Sequence, residues 1–257
     1  MISSGIRALK ELPAVALMLG ALWLMRLRGQ SPFDDATVAG VLPVRHYWNL
    51  FLRQHRQDIR GSALEIGNAN MVKGFGGTAV TRTTVLDAVA GNGVDVVADL
   101  AHAWNVPNSC FDVFINQFSM HVIEDDLSAL FHSVRILRPG GVLLVNFPCV
   151  SSYPADGLEY TPGKRSFVQR WYSPAGVRRM IDRLGLSEHA TIETFGNDVG
   201  MMAYVHGIST RLLRHQWLAV SDPAVPILVC ARITRPADWP AEWRPADAPR
   251  GTAGEAT

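Results

Sequence analysis

Three carboxylates, Glu65, Asp87 and Asp99, each stand at the end of a short apolar run, and their order along the chain points to chemistry. Glu65 follows Ala63-Leu64, Asp87 follows Val85-Leu86, and Asp99 follows Val96-Val97-Ala98. An ionised carboxylate only accepts hydrogen bonds. One such group can draw in an ammonium, a second can accept both hydroxyls of a ribose, and a third can accept from an exocyclic amine. Any one of them alone could merely cap a turn. In this order they read as a row of acids facing one ligand. Gly67 lets backbone approach that ligand closely, and Glu65-Ile66-Gly67-Asn68-Ala69-Asn70 reads as the first strand-to-helix turn, where open α/β sheets bind ligands.

A second set of residues could move a proton. His121, in Gln117-Phe118-Ser119-Met120-His121-Val122, follows an apolar strand and is the first candidate for a general base; it could equally be a packing residue at a helix start. His206 and Asp198 are weaker candidates, because a histidine on an apolar helix is more often structural. Tyr153, Glu159, Tyr160, Arg165 and Trp171 lie in an aperiodic stretch, where they would line a substrate cleft or form the core of a lid.

These residues need a frame, and the hydrophobic pattern describes one. Val44, Tyr47, Trp48, Phe51 and Leu52 have the three-and-four spacing of a helix with one buried face, over residues 44–55. Short apolar runs at 63–66, 78–86, 95–99, 111–116, 142–147, 191–195 and 227–233 read as strands. Between them, Leu127, Leu130, Phe131, Val134 and Leu137 mark a helix opened by Glu124, Asp125 and Asp126 and stopped at Pro139-Gly140-Gly141. Ser173-Pro174 caps another that Gly185 ends, and a further helix is expected around 199–213. The alternation implies a mostly parallel α/β sheet covered on both faces. Residues 148–172 interrupt it as a lid-like insertion within a domain spanning 44–235.

The whole chain narrows the function classes. With 257 residues and 48% hydrophobic composition it can bury one large core. Its 24 basic and 23 acidic residues lack the basic stripe that would grip a nucleic acid, so no nucleic-acid partner is expected. Cys110, Cys149 and Cys230 are widely separated and read as thiols of a reduced compartment, forming neither a disulfide framework nor a zinc site. Residues 1–43 hold an apolar run, Pro13 to Met25, flanked by Arg7, Lys10, Arg26 and Arg28. It is short for a membrane span and reads as a helix packed on the domain or on a second subunit, with a membrane-surface anchor as the alternative. Either way the domain is expected in the cytoplasm. Residues 236–257, rich in Pro, Ala and Gly, read as a mobile tail.

Taken together, Leu64-Glu65-Ile66-Gly67, Val85-Leu86-Asp87, Val96-Val97-Ala98-Asp99-Leu100, Ser109-Cys110-Phe111-Asp112-Val113 and Ile136-Leu137-Arg138-Pro139-Gly140-Gly141-Val142 resemble the class I methyltransferases of the methyltransferase type 11 group. The resemblance covers roughly residues 44–234. Asp58-Ile59-Arg60-Gly61, Trp171-Tyr172-Ser173 and Glu193-Thr194-Phe195-Gly196-Asn197 bring it nearest to a bacterial subgroup that accompanies glycosyltransferases. It implies a Rossmann-like seven-stranded sheet and S-adenosylmethionine (SAM) as cofactor. Glu65, Gly67, Asn68, Asp87, Asp99, Leu100 and Gln117 are the implied cofactor contacts, and a small-molecule or glycosylated hydroxyl is the implied acceptor. Asn116 stands where metal-dependent relatives tend to place an acid, so no metal is expected. The chain departs from the pattern at Ala69, where a second glycine is usual, and Thr84 competes with Asp87 for the ribose position.

Other readings are a methyltransferase of a small non-sugar metabolite or carboxylate and a binding protein that kept the fold without turnover. An NAD-dependent dehydrogenase would need Gly-x-Gly-x-x-Gly, where this chain has Gly67-Asn68-Ala69-Asn70-Met71-Val72.

Overall fold

The computed structural model describes residues 41–150, 168–205 and 208–240. The expectations for the N-terminal apolar run, the tail beyond residue 240, Tyr153, Glu159, Tyr160, Arg165 and His206 lie outside the described residues.

The strands are β1 (Gly61–Ile66), β2 (Val80–Asp87), β3 (Val96–Val97), β4 (Phe111–Asn116), β5 (Leu137–Pro148), β6 (Ala190–Phe195) and β7 (Leu228–Thr234). They form one seven-stranded sheet in the order β3-β2-β1-β4-β5-β7-β6. The strands from β3 to β5 pair in parallel, and β7 runs antiparallel to both β5 and β6. Ala63 lies beside Val113, Leu64 beside Phe114 and Glu65 beside Ile115. Since alternate residues point to opposite faces, this register decides which side each contributes to.

One face carries α1 (Pro43–Gln54), started by its proline, with Val44, Tyr47, Trp48, Phe51 and Leu52 buried at helical spacing. They pack in one cluster with Ala63, Val113, Ile115, Val142 and Leu144. On the other face, α2 (Asp126–Arg135) and α3 (Pro174–Arg183) bury Leu130, Phe131, Val134, Val177 and Ile181 against Leu64, Phe114, Leu143 and Val145. The caps are side chains: Asp125 accepts from the Ser128 amide, and Ser173 accepts from the Gly176 amide.

Polar links lock α1 to the far edge of the sheet. Asp58 takes both arms of the Arg232 guanidinium on β7, at 2.8 and 2.9 Å, and His55 Nε2 lies 2.8 Å from Glu193 Oε1 on β6. The paired, planar geometry of the arginine adds direction as well as charge.

Several expected boundaries shift. The helix expected to include Leu137 ends at Arg135, and Leu137 joins β5 beside Phe111. Pro139-Gly140-Gly141 therefore lies within β5, with Gly140 at φ 78°. The strand expected at 95–99 shortens to Val96–Val97, because Asp99 already caps a 3₁₀ turn. The helix expected over 199–213 is described as α4 (Asp198–Val205) and is no longer helical at Ile208, with a separate turn α5 at His215–Leu218. Asn197 explains this local order: its Oδ1 accepts from the Gly200 amide, while its Nδ2 donates to the Trp217 and Val220 carbonyls.

Gly196, at φ 127°, marks where β6 turns against β7; a Cβ there would stand 2.7 Å from the Ile227 nitrogen. Gly196→Ala should destabilise the protein by about 2–4 kcal/mol, measured by urea unfolding, because backbone strain and overpacking coincide.

Candidate functional site

The strand order reverses between β1 and β4, so their carboxyl ends open a crevice. Glu65 spans it from beneath. Its Oε1 accepts from the Met71 amide at 3.1 Å and from Gln117 Nε2 at 2.9 Å, and its Oε2 accepts from the Val72 amide at 2.8 Å. The residue is fully buried. Burial pushes its carboxyl up to about 7, against the opposing pull of the Val72 and Met71 amides and Lys73. Its oxygens tie the loop after β1 to the end of β4.

That loop is compact. It crosses from β1 to β2 through one π turn (Val72–Gly76) and one 3₁₀ turn (Gly77–Ala79), close to the shortest span that can join parallel strands. Gly67 adopts φ 80° and donates to the Leu86 carbonyl at 2.8 Å. A Cβ on Gly67 would come to 4.0 Å from Asp87 Oδ2, so the bare side of the glycine faces Asp87. Thr84 is buried within β2 beside Leu64, leaving Asp87, not Thr84, at the strand end. Asn68 Oδ1 accepts from the Asn70 amide and shapes the turn. Ala69 does not occupy the left-handed region, so its methyl costs this loop no backbone strain.

Asp99 begins the 3₁₀ turn Leu100–His102, where its Oδ1 accepts from the Ala101 amide at 3.0 Å and its Oδ2 lies 2.9 Å from His102 Nδ1. Burial would raise its carboxyl, but His102 and the Ala101 amide outweigh that and hold it below the usual range. Leu100 is buried beneath it.

Across the crevice, Gln117 donates to Glu65 while its own Oε1 is buried without a partner among the described residues. Phe118 takes φ 49°, an uncommon conformation for a bulky side chain. Asn146 of β5 holds it there, its Oδ1 accepting from the Phe118 amide at 2.9 Å. The Phe118 ring meets Trp48 edge-on at 6.5 Å and carries the Arg45 guanidinium 5.2 Å from its centroid. Asn146, Phe118, Trp48 and Arg45 were not singled out as site residues by pattern. The available signal was an asparagine inside the apolar run Val142 to Phe147.

His121 is mostly enclosed, and desolvation pushes its imidazole down to about 4. Its Nδ1 is buried with no partner among the described residues. Its carbonyl accepts from the amides of Gln169 at 2.8 Å and Arg170 at 3.4 Å. The same strap is fastened by the Tyr172 hydroxyl, which donates to the Met120 carbonyl at 2.8 Å and to Asp126 at 2.9 Å, and by an Arg170–Asp126 ion pair at 2.7 Å. Asp198 is exposed at the start of α4, with no hydrogen bond or ion pair among the described residues. The structure does not join it to His121.

A cleft of about 550 Å³ lies at the amino ends of β1 and β4, lined by Asp58, Arg60 and Asp112. Its two carboxylates already pair with Arg232 and Arg138, so it lacks the free acceptors of the β1–β4 crevice.

Residues 75–145 match the family described as "Methyltransferase domain". This part of the chain is similar to a methyltransferase domain. Solved structures similar to it include the YcgJ protein from Bacillus subtilis, at 13% identity and a TM-score of 0.45, covering 75% of this chain and 99% of that one. A Haloferax volcanii putative methyltransferase in complex with the Trm112 activator is 14% identical, with a TM-score of 0.47 and coverage of 75% and 90%. A SAM-dependent methyltransferase from Archaeoglobus fulgidus is 13% identical, with a TM-score of 0.45 and coverage of 74% and 94%. A search of the curated proteins found no match.

The enclosed His121 also has a consequence for stability. Between about pH 6.5 and 4 the unfolded chain binds a proton at His121 that the folded one excludes, so stability falls as the pH is lowered through that window. Urea unfolding at pH 7 and pH 5 should show the wild-type protein losing about 1–2 kcal/mol more than His121→Gln. Equal losses would contradict the buried neutral imidazole.

Proposed function

We propose that the β1–β4 crevice binds SAM and that the protein methylates a hydroxyl of a sugar or of a glycosylated envelope or natural-product intermediate. The observation that carries this reading is the pair of buried, unpartnered acceptor-capable atoms, Gln117 Oε1 and His121 Nδ1, on one short segment beyond β4 at the switch point. A buried polar atom without a partner is costly unless a ligand satisfies it. Gly67 adds bare backbone beside Asp87, so the residues present fit the cofactor.

In this reading Gly67 and Asn68 form the loop against the cofactor, Asp87 accepts from the ribose hydroxyls, and Asp99 and Leu100 flank the adenine. Gln117 completes the contacts. Glu65 is a positioning residue that holds the loop in place. SAM supplies an electrophilic methyl group on a sulfonium. The protein orients the acceptor oxygen, excludes water, and provides a site for the departing proton.

His121 is neutral at pH 7 because burial lowers its affinity for protons. A hydroxyl becomes strongly acidic as its oxygen gains a methyl carbon, so a weak base suffices at that moment. The acceptor's proton passes to the imidazole. The low basicity of His121 also favours a second reading, a carboxylate acceptor, which has no proton to lose.

The catalytic domain is assigned to residues 44–240, past the boundary expected at 235, because Trp239 is buried in the core against Phe131. We place it in the cytoplasm, with the N-terminal apolar run held by a second subunit or a membrane surface. Among the described residues no helix is long and apolar enough to cross a membrane.

Calorimetry with SAM and with S-adenosylhomocysteine tests the cofactor site. Both should bind, and Asp87→Ala should weaken binding about 10–100-fold through loss of charge-assisted hydrogen bonds; no binding of either compound sinks the reading. With radiolabelled SAM and envelope extracts, label should enter carbohydrate material. His121→Ala should lower kcat about 10²–10⁴-fold on a hydroxyl acceptor, whereas label confined to carboxylate esters, with kcat unchanged, would favour the second reading.

A further inference from the structure

A second concave surface lies along the strap that bonds to the His121 carbonyl. Between the start of α2 and the exposed face of α3 runs a groove of about 300 Å³, bounded by Arg170, Trp171, Gly176, Arg179, Met180 and Arg183. Gly176, Arg179, Met180 and Arg183 follow the three-and-four spacing that places them on one face of α3.

Its charge is one-sided. The carboxylate that lines it, Asp126, is engaged by Arg170 at 2.7 Å and by the Tyr172 hydroxyl at 2.9 Å. Asp182, the acid on α3, accepts from the Ser187 hydroxyl. Arg179 and Arg183 are exposed and have no ion-pair or hydrogen-bond partner among the described residues. Trp171, 48% exposed, stands at the same groove.

Two arginines on adjacent turns, with a third fixed opposite them, suit a group carrying several anionic oxygens. Guanidinium groups donate in pairs to phosphate and are weakly hydrated, so they give up less water than ammonium groups on binding. Arg183 also complements the carboxyl end of α3. That role needs no concavity, no arginine at position 179 and no exposed indole.

We propose that this groove is a binding site for a phosphate group, with Arg179 and Arg183 as its donors and Trp171 as an apolar wall. The ligand is a phosphorylated small molecule or the phosphate headgroup of a lipid, which share this chemistry. The groove adjoins the candidate catalytic segment, since Gln169 and Arg170 donate their amides to His121 and Arg170 lines the groove. It shares no residue with the proposed cofactor contacts, so it can be tested separately from them.

The test uses the full chain. Sodium pyrophosphate is titrated by calorimetry at low salt, and sedimentation is measured with phosphatidylglycerol vesicles and with neutral phosphatidylcholine vesicles. Pyrophosphate should bind the wild-type protein, more weakly as salt rises, and the double variant R179A/R183A should lose at least about tenfold in affinity. SAM affinity, measured on the same samples, should be unchanged, which separates failure of the groove from failure of the cofactor reading. Sedimentation with phosphatidylglycerol vesicles alone, competed by pyrophosphate and lost in R179A/R183A, would identify a lipid headgroup. Pyrophosphate binding without vesicle binding would identify a soluble phosphorylated ligand. No binding to either probe, or binding that R179A/R183A leaves intact, would overturn the proposal.

Discussion

A carboxylate with no access to water sits at the point where the sheet reverses, and the surrounding site is arranged around it. Glu65 collects two amides from the loop after β1 and one side-chain amide from beyond β4. Leaving such a charge buried and unpaired would cost several kcal/mol, so these donors and their acceptor position one another. The consequence reaches the loop itself. With Met71 and Val72 drawn onto Glu65, the chain crosses to β2 in single turns, and Gly67 is left with its bare side toward Asp87.

The opposite wall rests on a second buried polar residue. Asn146 lies in the middle of an apolar strand, yet its carbonyl oxygen holds Phe118 in a conformation that the ring would not adopt unaided. The strain is local to the segment that also carries Gln117 and His121, as expected where backbone geometry serves a site. Trp48 and Arg45 of α1 pack against the same ring. The first helix thus does more than cover the sheet: it supports a wall of the crevice.

At the periphery, two arginines act as clamps. Arg232 binds Asp58 and fixes the entry to β1 against β7, while Arg170 binds Asp126 and fixes the strap over His121. Each joins segments far apart in sequence.

The sequence by itself determined the seven strands, the two-sided covering and the strand ends at which the candidate site residues gather, because alternating and helical hydrophobic periods depend only on local order. Asp87 at the end of its strand and Gly67 in the first turn were legible for the same reason. Tertiary structure alone decided which donors Glu65 engages, since they come from both sides of the switch point, and that Thr84 is buried within β2 while Asp87 ends it, which rests on strand register. It also decided that Ala69 carries no left-handed backbone strain, because backbone angles follow from how the loop closes, and that Leu137 leaves its helix for β5, where pairing with Phe111 outweighs helical spacing. Asn146 and Phe118 were hidden for a related reason: nothing within either segment announces a hydrogen bond between residues twenty-eight positions apart.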